Sequence, residues 1–226
     1  MPGIRWFLTA AILITCVAAQ AQTGPSVDGE WGPVVSWPYE VTHATLLANG
    51  KVLVWPPYNL GDNARVWDPT TNTFVVSPKA GYNIFCAGHT HLADGRVLVS
   101  GGQIGAVLYG VPNASIYDPT TDTWTRLPDM ESPRWYPTNT TLANGDILVT
   151  SGQIDPVRGI SGLPQIWQAA TSTWQDLSSA QLIVPLYPRM FLAPNGKAFY
   201  AGEAPQSRYL DTTGTGQWSL VAQSNM

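Results

Sequence analysis

The sequence predicts an all-β protein of the propeller class, and three observations support this fold. An Asn-Gly or Asp-Gly pair, which favours a two-residue hairpin turn, recurs about every 50 residues along the 226-residue chain. An Asp-Pro-Thr-Thr turn followed by an aromatic residue recurs at a similar interval. Only 12% of residues are charged, whereas Pro and Gly number 19 and 21, which favours short strands and tight turns over helices. A strand-and-turn repeat of this length is typical of a propeller, in which each repeat forms one blade.

Each repeat predicts a blade of four strands. In the second repeat the strand candidates are residues 86–93, 96–100, 114–117 and 123–127. The other repeats follow the same order, with turn pairs at Asn49-Gly50, Asn144-Gly145 and Asn195-Gly196. Aromatic residues mark the outermost strands at Phe74, Trp124, Trp174 and Trp218. We expect these large rings to pack between blades, each indole N–H having a hydrogen-bond acceptor.

The segment Glu30–Pro38 is similar to an outermost strand, although no earlier strands of the same blade precede it. The last repeat has its own outermost strand at 217–221 and does not need this segment to complete it. We therefore expect four blades and an orphan outer strand, together forming part of a truncated seven-bladed propeller. Because such an arc exposes inter-blade faces at both ends, we expect the isolated chain to be inactive and poorly soluble.

The first 21 residues predict a signal peptide. Arg5 is followed by an apolar run at 6–19 and a small-x-small cleavage site at Ala19-Gln20-Ala21. Because this run is too short for a comfortable membrane span, we expect a secreted protein with a propeller domain at 22–226 and no span after cleavage. The alternative is an uncleaved N-terminal anchor. The net charge of −4 provides no basic patch, which disfavours a nucleic-acid partner.

One cysteine requires an explanation. The chain has two, and Cys16 leaves with the predicted signal peptide, so Cys86 is alone in the mature protein. Counting back eight residues from each turn pair selects an equivalent position in each blade: Val41, Cys86, Tyr136 and Tyr187. Cys86 and Tyr136 are thus expected to be neighbours from adjacent blades. A thiol beside a phenol can form a thioether at the ring carbon ortho to the hydroxyl; alternatively, Cys86 is a small buried hydrophobe. Tyr187 either fills the wedge between blades or lines a central pocket.

Two segments of the chain resemble the galactose oxidase and glyoxal oxidase family of copper radical oxidases. Phe85-Cys86-Ala87-Gly88, with residues 94–102 after it, looks like the cysteine segment of that family. Residues 133–138, with Leu142-Ala143-Asn144-Gly145 after them, look like the segment bearing the cross-linked tyrosine, closer to the glyoxal oxidase version. The blades themselves resemble kelch repeats. The likeness extends from about Asp28 to the C-terminus.

The resemblance implies a copper cofactor that includes a Cys–Tyr thioether. Cys86 would be the thioether donor, and Tyr136 the copper ligand and radical carrier. Enzymes of this family oxidise a primary alcohol, an aldehyde hydrate or a sugar, and dioxygen then yields hydrogen peroxide. We therefore expect this chain to be a fragment of a secreted oxidase that acts on a small alcohol, aldehyde or carbohydrate.

Two departures from the family pattern bear on this assignment. The family completes its copper site with a tyrosine and two histidines from later blades, but no histidine follows Tyr136 here. The galactose-oxidising members stack a tryptophan over the thioether, and the equivalent residues 151–154 contain none. This weakens an assignment to galactose and leaves an aldehyde or another alcohol as substrate. The chain is thus predicted to lack a complete copper site.

A non-catalytic propeller is the second hypothesis. Such a protein would bind carbohydrate or a cell-surface partner, with exposed aromatic residues stacking on sugar rings; the candidates are Trp55, Tyr58 and Trp135. A tyrosine-histidine pair and a further histidine encoded downstream would select the oxidase instead.

Other polar residues have less specific interpretations. His89 and His91 share one face of a predicted strand and are able in principle to hold copper or zinc. The residues equivalent to His91 in the other blades are mostly packing types, Leu46, Thr141 and Leu192, which favours a packing or hydrogen-bonded role. Asn113 and Asn139 begin glycosylation sequons, and Asn139 is expected in an inner strand.

Overall fold

The computed structural model describes residues 24, 27, 29–38, 40–57, 59, 61–105 and 108–224. The predicted signal peptide, residues 1–21, lies outside the described residues. The chain divides into two compact units, Met1–Pro38 and Tyr39–Met226. The domain start at residue 22 stays a prediction. In the part of the chain that the structure describes, no helix has the length and apolar character needed to cross a bilayer.

The described residues of the second unit form four antiparallel sheets of four strands each, which confirms the predicted all-β propeller fold. The first blade comprises β1 (His43–Leu46), β2 (Val52–Trp55), β3 (Arg65–Asp68) and β4 (Thr73–Val76). The second comprises β5 (Gly88–His91), β6 (Val97–Ser100), β7 (Ala114–Asp118) and β8 (Thr123–Arg126). The number of blades in the whole propeller stays a prediction.

The third blade contains an insertion that the sequence did not reveal. Its sheet comprises β9 (Thr138–Thr141), β10 (Ile147–Thr150), β13 (Gln165–Gln168) and β14 (Thr173–Asp176). A small hairpin, β11 (Gln153–Asp155) and β12 (Gly159–Ile160), is inserted between β10 and β13. The fourth blade comprises β15 (Met190–Leu192), β16 (Ala198–Ala201), β17 (Gln206–Asp211) and β18 (Gln217–Gln223).

The segment predicted to be an orphan outer strand, Glu30–Pro38, has no sheet pairing in the described structure. The side chains of Trp31 and Val34 are fully exposed to solvent. An outer strand without the rest of its blade has no ladder to join, so the assignment of this segment to a blade stays a prediction.

The recurrent turn pairs connect the first and second strands of each blade, as predicted. The turn glycines have φ angles between 78° and 86°, a region that glycine enters without steric cost: Gly50, Gly95, Gly145 and Gly196. The preceding Asn or Asp side chain accepts a hydrogen bond from the backbone N–H two residues ahead, at 3.1 Å in every blade. Local turn chemistry therefore fixes the register of the inner hairpin.

The second strand of each blade supplies most of the core. In β6, Val97 and Val99 pack toward the first blade, whereas Leu98 packs toward the third. All three are fully buried. Because successive residues of a strand point to opposite faces, a strand covered on both sides needs a continuous apolar run. The core thus lies between neighbouring blades.

The outermost tryptophans join each blade to the one before it, as the sequence predicts. The indole N–H of Trp124 donates to the Ser77 hydroxyl at 3.1 Å. The equivalent bonds run from Trp174 to the Pro128 carbonyl at 2.8 Å and from Trp218 to the Ala180 carbonyl at 2.7 Å. These repeated contacts connect each blade to the one before it.

Candidate active site

The residues at the shared offset lie just before the inner strands. The sequence predicts Cys86 and Tyr136 as the first residues of these strands, but β5 begins at Gly88 and β9 at Thr138. The reason is conformational, because Cys86, Tyr136 and Tyr187 have φ angles of 57°, 65° and 48°. These values lie in the left-handed region, which is incompatible with a β-strand and uncommon for residues other than glycine.

A chain of backbone hydrogen bonds joins these residues across three blades. The N–H of Tyr136 donates to the carbonyl of Cys86 at 2.9 Å, and the N–H of Tyr187 donates to the carbonyl of Tyr136 at 2.9 Å. Left-handed backbone at such residues costs of order 1–3 kcal/mol each and persists only where the surroundings enforce it. The inter-blade bonds provide that enforcement and bring the three side chains together.

The thiol of Cys86 interacts electrostatically with the phenols of Tyr136 and Tyr187, and the three groups shift one another's pKa. Cys86 is a buried free cysteine. Burial raises the pKa of its thiol to about 11, although the neighbouring tyrosines partly oppose the shift. Burial, and then the contact with Cys86, raises the pKa of Tyr136 to about 12. Burial raises the pKa of Tyr187 as well, helped by Cys86 and Tyr136. All three groups are therefore neutral at physiological pH.

The phenol ring of Tyr136 contacts two other aromatic rings. Trp135 stacks on one face, with ring centroids 4.0 Å apart and planes 18° apart. The ring of Tyr187 is 4.7 Å away and tilted by 31°. The Trp135 indole N–H has no regular hydrogen-bond partner among the described residues, yet it lies near enough to the Cys86 sulfur to lower its pKa. Sequence reasoning missed this stack, since adjacent residues normally point in opposite directions in a strand.

The exposed aromatic platform predicted for a carbohydrate-binding propeller is wrong at two of its three positions. Trp55 is fully buried and Trp135 is 6% exposed. The indole N–H of Trp55 donates to the Ile84 carbonyl at 2.9 Å, inside the inter-blade core. Tyr58 lies outside the described residues. Neither tryptophan is available to stack on a sugar ring.

A fully buried arginine anchors the segment that carries Trp135 and Tyr136. The guanidinium of Arg134 donates to the Ser151 carbonyl at 2.6 Å, the Leu163 carbonyl at 2.6 Å and the Gln165 Oε1 at 3.0 Å. Burial lowers the pKa of Arg134 to about 10, and the more distant carboxylate of Asp176 opposes the shift. The side chain remains a cation at neutral pH. It ties the Trp135–Tyr136 segment to the third blade.

The histidines do not form a metal centre with Cys86. His89 packs edge-on against Trp55 at 5.0 Å, and the Nε2 of His91 lies 2.6 Å from the Leu46 carbonyl. In the described ranges, no three His, Cys, Asp or Glu side chains converge in a way that could hold a metal ion. His89 and His91 thus pack and hydrogen bond between the first two blades. The Nε2 of His43 accepts a hydrogen bond from the Cys86 backbone N–H at 3.0 Å.

A cavity of about 350 Å³ lies at the inner ends of the blades. All four blades contribute to its wall, including His43, His89, Asn139 and Tyr187. The side chain of Asn139, predicted as the start of a sequon, accepts a hydrogen bond from the Ser100 hydroxyl at 2.7 Å. Asn139 is thus part of the inter-blade packing.

Comparison with known proteins agrees with this architecture. Residues 89–131 match the family described as Kelch motif. The fold is a kelch-type β-propeller. A similar solved structure is that of a fungal alcohol oxidase of the AA5 family in complex with copper, with a TM-score of 0.69 and 22% identity. The match covers 86% of this chain and 44% of that chain, so this kelch-type propeller spans less than half of the oxidase. No curated protein matches the sequence.

Proposed function

We propose that this chain is the part of a secreted copper radical oxidase that carries a Cys86–Tyr136 thioether. The observation that supports the proposal best is the backbone hydrogen bond from Tyr136 to Cys86 at 2.9 Å, which joins two residues of adjacent blades that both have left-handed backbone. The likeness in fold to a copper-containing alcohol oxidase supports it further. The whole protein would oxidise a small primary alcohol, aldehyde hydrate or sugar with dioxygen.

The described residues fit only the organic half of this cofactor. A thiol beside the hydroxyl end of a phenol ring is next to the ortho carbon, where the thioether bond would form. The same residues supply Tyr136 as one candidate copper ligand, but no group of three or more His, Cys, Asp or Glu side chains among the described residues is placed to hold a metal ion, so they do not fit a complete copper site. We therefore assign no step to the metal.

Thioether formation is an oxidation. The Cys86 sulfur loses its hydrogen, the Tyr136 ring loses the hydrogen ortho to the hydroxyl, and a sulfur–carbon bond forms. The two electrons and two protons released reduce one dioxygen molecule to hydrogen peroxide. Sulfur on the ring donates electron density, which lowers the oxidation potential of the phenol and prepares Tyr136 to carry a radical.

Peptide mass spectrometry of the full-length protein tests the proposal. After aerobic loading with copper, we expect the peptides that contain Cys86 and Tyr136 to be joined and two hydrogen atoms lighter than their sum. Tyr136→Phe removes the activated ring position and should leave the thiol free. Tyr187→Phe is the matched control and should retain the link. A free Cys86 thiol in the loaded wild-type protein, or a link to Tyr187, contradicts the proposal.

A further inference from the structure

The first link of the inter-blade hydrogen-bond chain differs from the others. In the third and fourth blades, the N–H at the shared offset donates to the backbone carbonyl of the equivalent residue one blade earlier. In the second blade, the Cys86 N–H instead donates to the Nε2 of His43 at 3.0 Å. A side chain thus takes the place of a carbonyl at the one position that carries the thiol.

Aromatic contacts fix the position of the His43 imidazole, and the ring is neutral, so that its Nε2 can accept this bond. It stacks on Trp55 with ring centroids 4.8 Å apart and planes 13° apart, and His89 contacts it edge-on at 5.7 Å. Burial, and then His89, lowers the pKa of His43 to about 3, so the ring is neutral near pH 7. Since Nε2 accepts, the proton of the neutral ring resides on Nδ1.

The ring on which His43 stacks also fixes the residues just before Cys86. The Trp55 indole N–H donates to the Ile84 carbonyl at 2.9 Å. The same carbonyl accepts the Ala87 N–H at 3.1 Å, which closes a tight turn around Cys86. The stacked His43–Trp55 pair therefore binds the turn at two points, one before Cys86 and one at Cys86.

We propose that His43 is a positioning residue that holds Cys86 in the left-handed conformation from which its sulfur reaches Tyr136. This inference rests on the proposed function, because the reaction it serves is thioether formation. Without the acceptor, the buried Cys86 N–H is unpaired and the turn relaxes toward ordinary backbone, moving the sulfur away from the ring. Once the thioether exists, the covalent bond holds the geometry and His43 is no longer needed for it.

Three variants of the full-length protein separate the hydrogen bond from ring packing. His43→Gln places an acceptor oxygen near the position of Nε2, whereas His43→Phe keeps the stack on Trp55 and removes the acceptor. His91→Phe is the control, because His91 makes no contact with the Cys86 turn in the described structure.

The measured quantity is the rate at which cross-linked peptide accumulates after copper and dioxygen are added to the reduced protein. An unpaired buried N–H in His43→Phe should slow cross-linking about tenfold, whereas His43→Gln and His91→Phe should stay within about twofold of wild type. Equal slowing in the Gln and Phe variants, or no slowing in the Phe variant, overturns the positioning role.

A second measurement does not depend on the thioether or on the folding of a variant. In the ¹⁵N-labelled wild-type protein, the N–H···N bond should give a scalar coupling between the Cys86 amide nitrogen and the His43 Nε2. Its absence overturns the inference. If the coupling is present but the wild-type protein never cross-links, the positioning contact stands and the proposed function fails. The two failures are therefore distinguishable.

Discussion

The indole ring of Trp135 lies nearly parallel to the phenol ring of the next residue, Tyr136, with centroids 4.0 Å apart. Consecutive side chains of a strand point to opposite faces and cannot stack in this way. The left-handed φ of 65° at Tyr136 turns its ring back over Trp135. The strained backbone at Tyr136 thus allows Trp135, its neighbour in sequence, to stack on the phenol ring.

Removal of the Trp135 ring should lower the stability of the propeller substantially. Trp135 is 6% exposed and packs on Tyr136, so Trp135→Ala leaves a large cavity. We expect a loss of about 3–5 kcal/mol in the free energy of unfolding, measured by denaturant titration. Trp31→Ala is the control, because the fully exposed ring of Trp31 should contribute less than about 0.5 kcal/mol. Similar losses in the two variants would contradict the buried stack.

Replacement of Arg134 should also be costly, and lysine should not restore stability. The guanidinium group of Arg134 donates to acceptors on Ser151, Leu163 and Gln165. The single ammonium group of a lysine cannot reach all three together. Arg134→Met or Arg134→Lys leaves buried neutral acceptors without a donor, and each should reduce the free energy of unfolding by about 1–3 kcal/mol per unpaired acceptor. Arg158→Met, at a mostly exposed arginine, should change it by less than about 1 kcal/mol. Full recovery with lysine would show that only the charge matters.

The fold was accessible from the sequence because its turns repeat. Gly50 and the equivalent glycines adopt positive φ, and the indole N–H of each outermost tryptophan needs an acceptor. Because each blade has these requirements, the same residue types recur in the sequence once per blade. The β11–β12 hairpin was not predicted, because its strands of three and two residues are too short to show a periodic pattern. Its short strands pair through backbone atoms that the side chains do not specify.

The proximity of Cys86 and Tyr136 was also predictable, because equal offsets in adjacent blades converge. Their conformation was not, since nothing in the local residue types marks a non-glycine residue as left-handed. The role of Arg134 was hidden for a similar reason. A charged residue is normally expected at the surface, and only the three acceptors brought together by the third blade make its burial tolerable.

Glycine at position 101 should be essential for the approach of the second blade to the Tyr136 segment. A Cβ atom at Gly101 would lie 2.3 Å from the Arg134 carbonyl oxygen, a backbone atom that cannot move aside cheaply. At Gly50, φ is similar but a Cβ would meet nothing within 4 Å. Gly50→Ala therefore measures the conformational cost alone, of order 1 kcal/mol. We expect Gly101→Ala to lower the midpoint of the unfolding transition far more than Gly50→Ala does. Equal effects of the two substitutions would exclude a steric clash with the Arg134 carbonyl.

The depressed pKa of His43 should make stability depend on pH. Its pKa is about 3 in the folded protein and about 6.5 in the unfolded chain. Below pH 6.5 only the unfolded chain gains the proton, so this contribution is complete above pH 6.5 and falls progressively toward pH 3. We expect the free energy of unfolding, measured by urea titration, to fall between pH 7.5 and pH 5.0. The fall should be about 2 kcal/mol larger in the wild type than in His43→Gln. Equal pH dependence in the two proteins would contradict a buried neutral His43.

Before any cross-link forms, the Cys86 thiol should resist alkylation. Burial raises its pKa by about two units, to about 11, which leaves roughly 100-fold less thiolate near neutral pH than in an unperturbed cysteine, and the thiolate is the reactive form. Iodoacetamide labelling of the copper-free protein at pH 7.5, followed by mass spectrometry, should be slow and should accelerate when urea unfolds the chain. The native rate should rise about tenfold per pH unit between pH 7.5 and 9.5, where the thiol is still protonated. Tyr136→Phe removes one hydroxyl that favours the thiolate, so its labelling should be slower than that of wild type if the thiol and phenol are in contact.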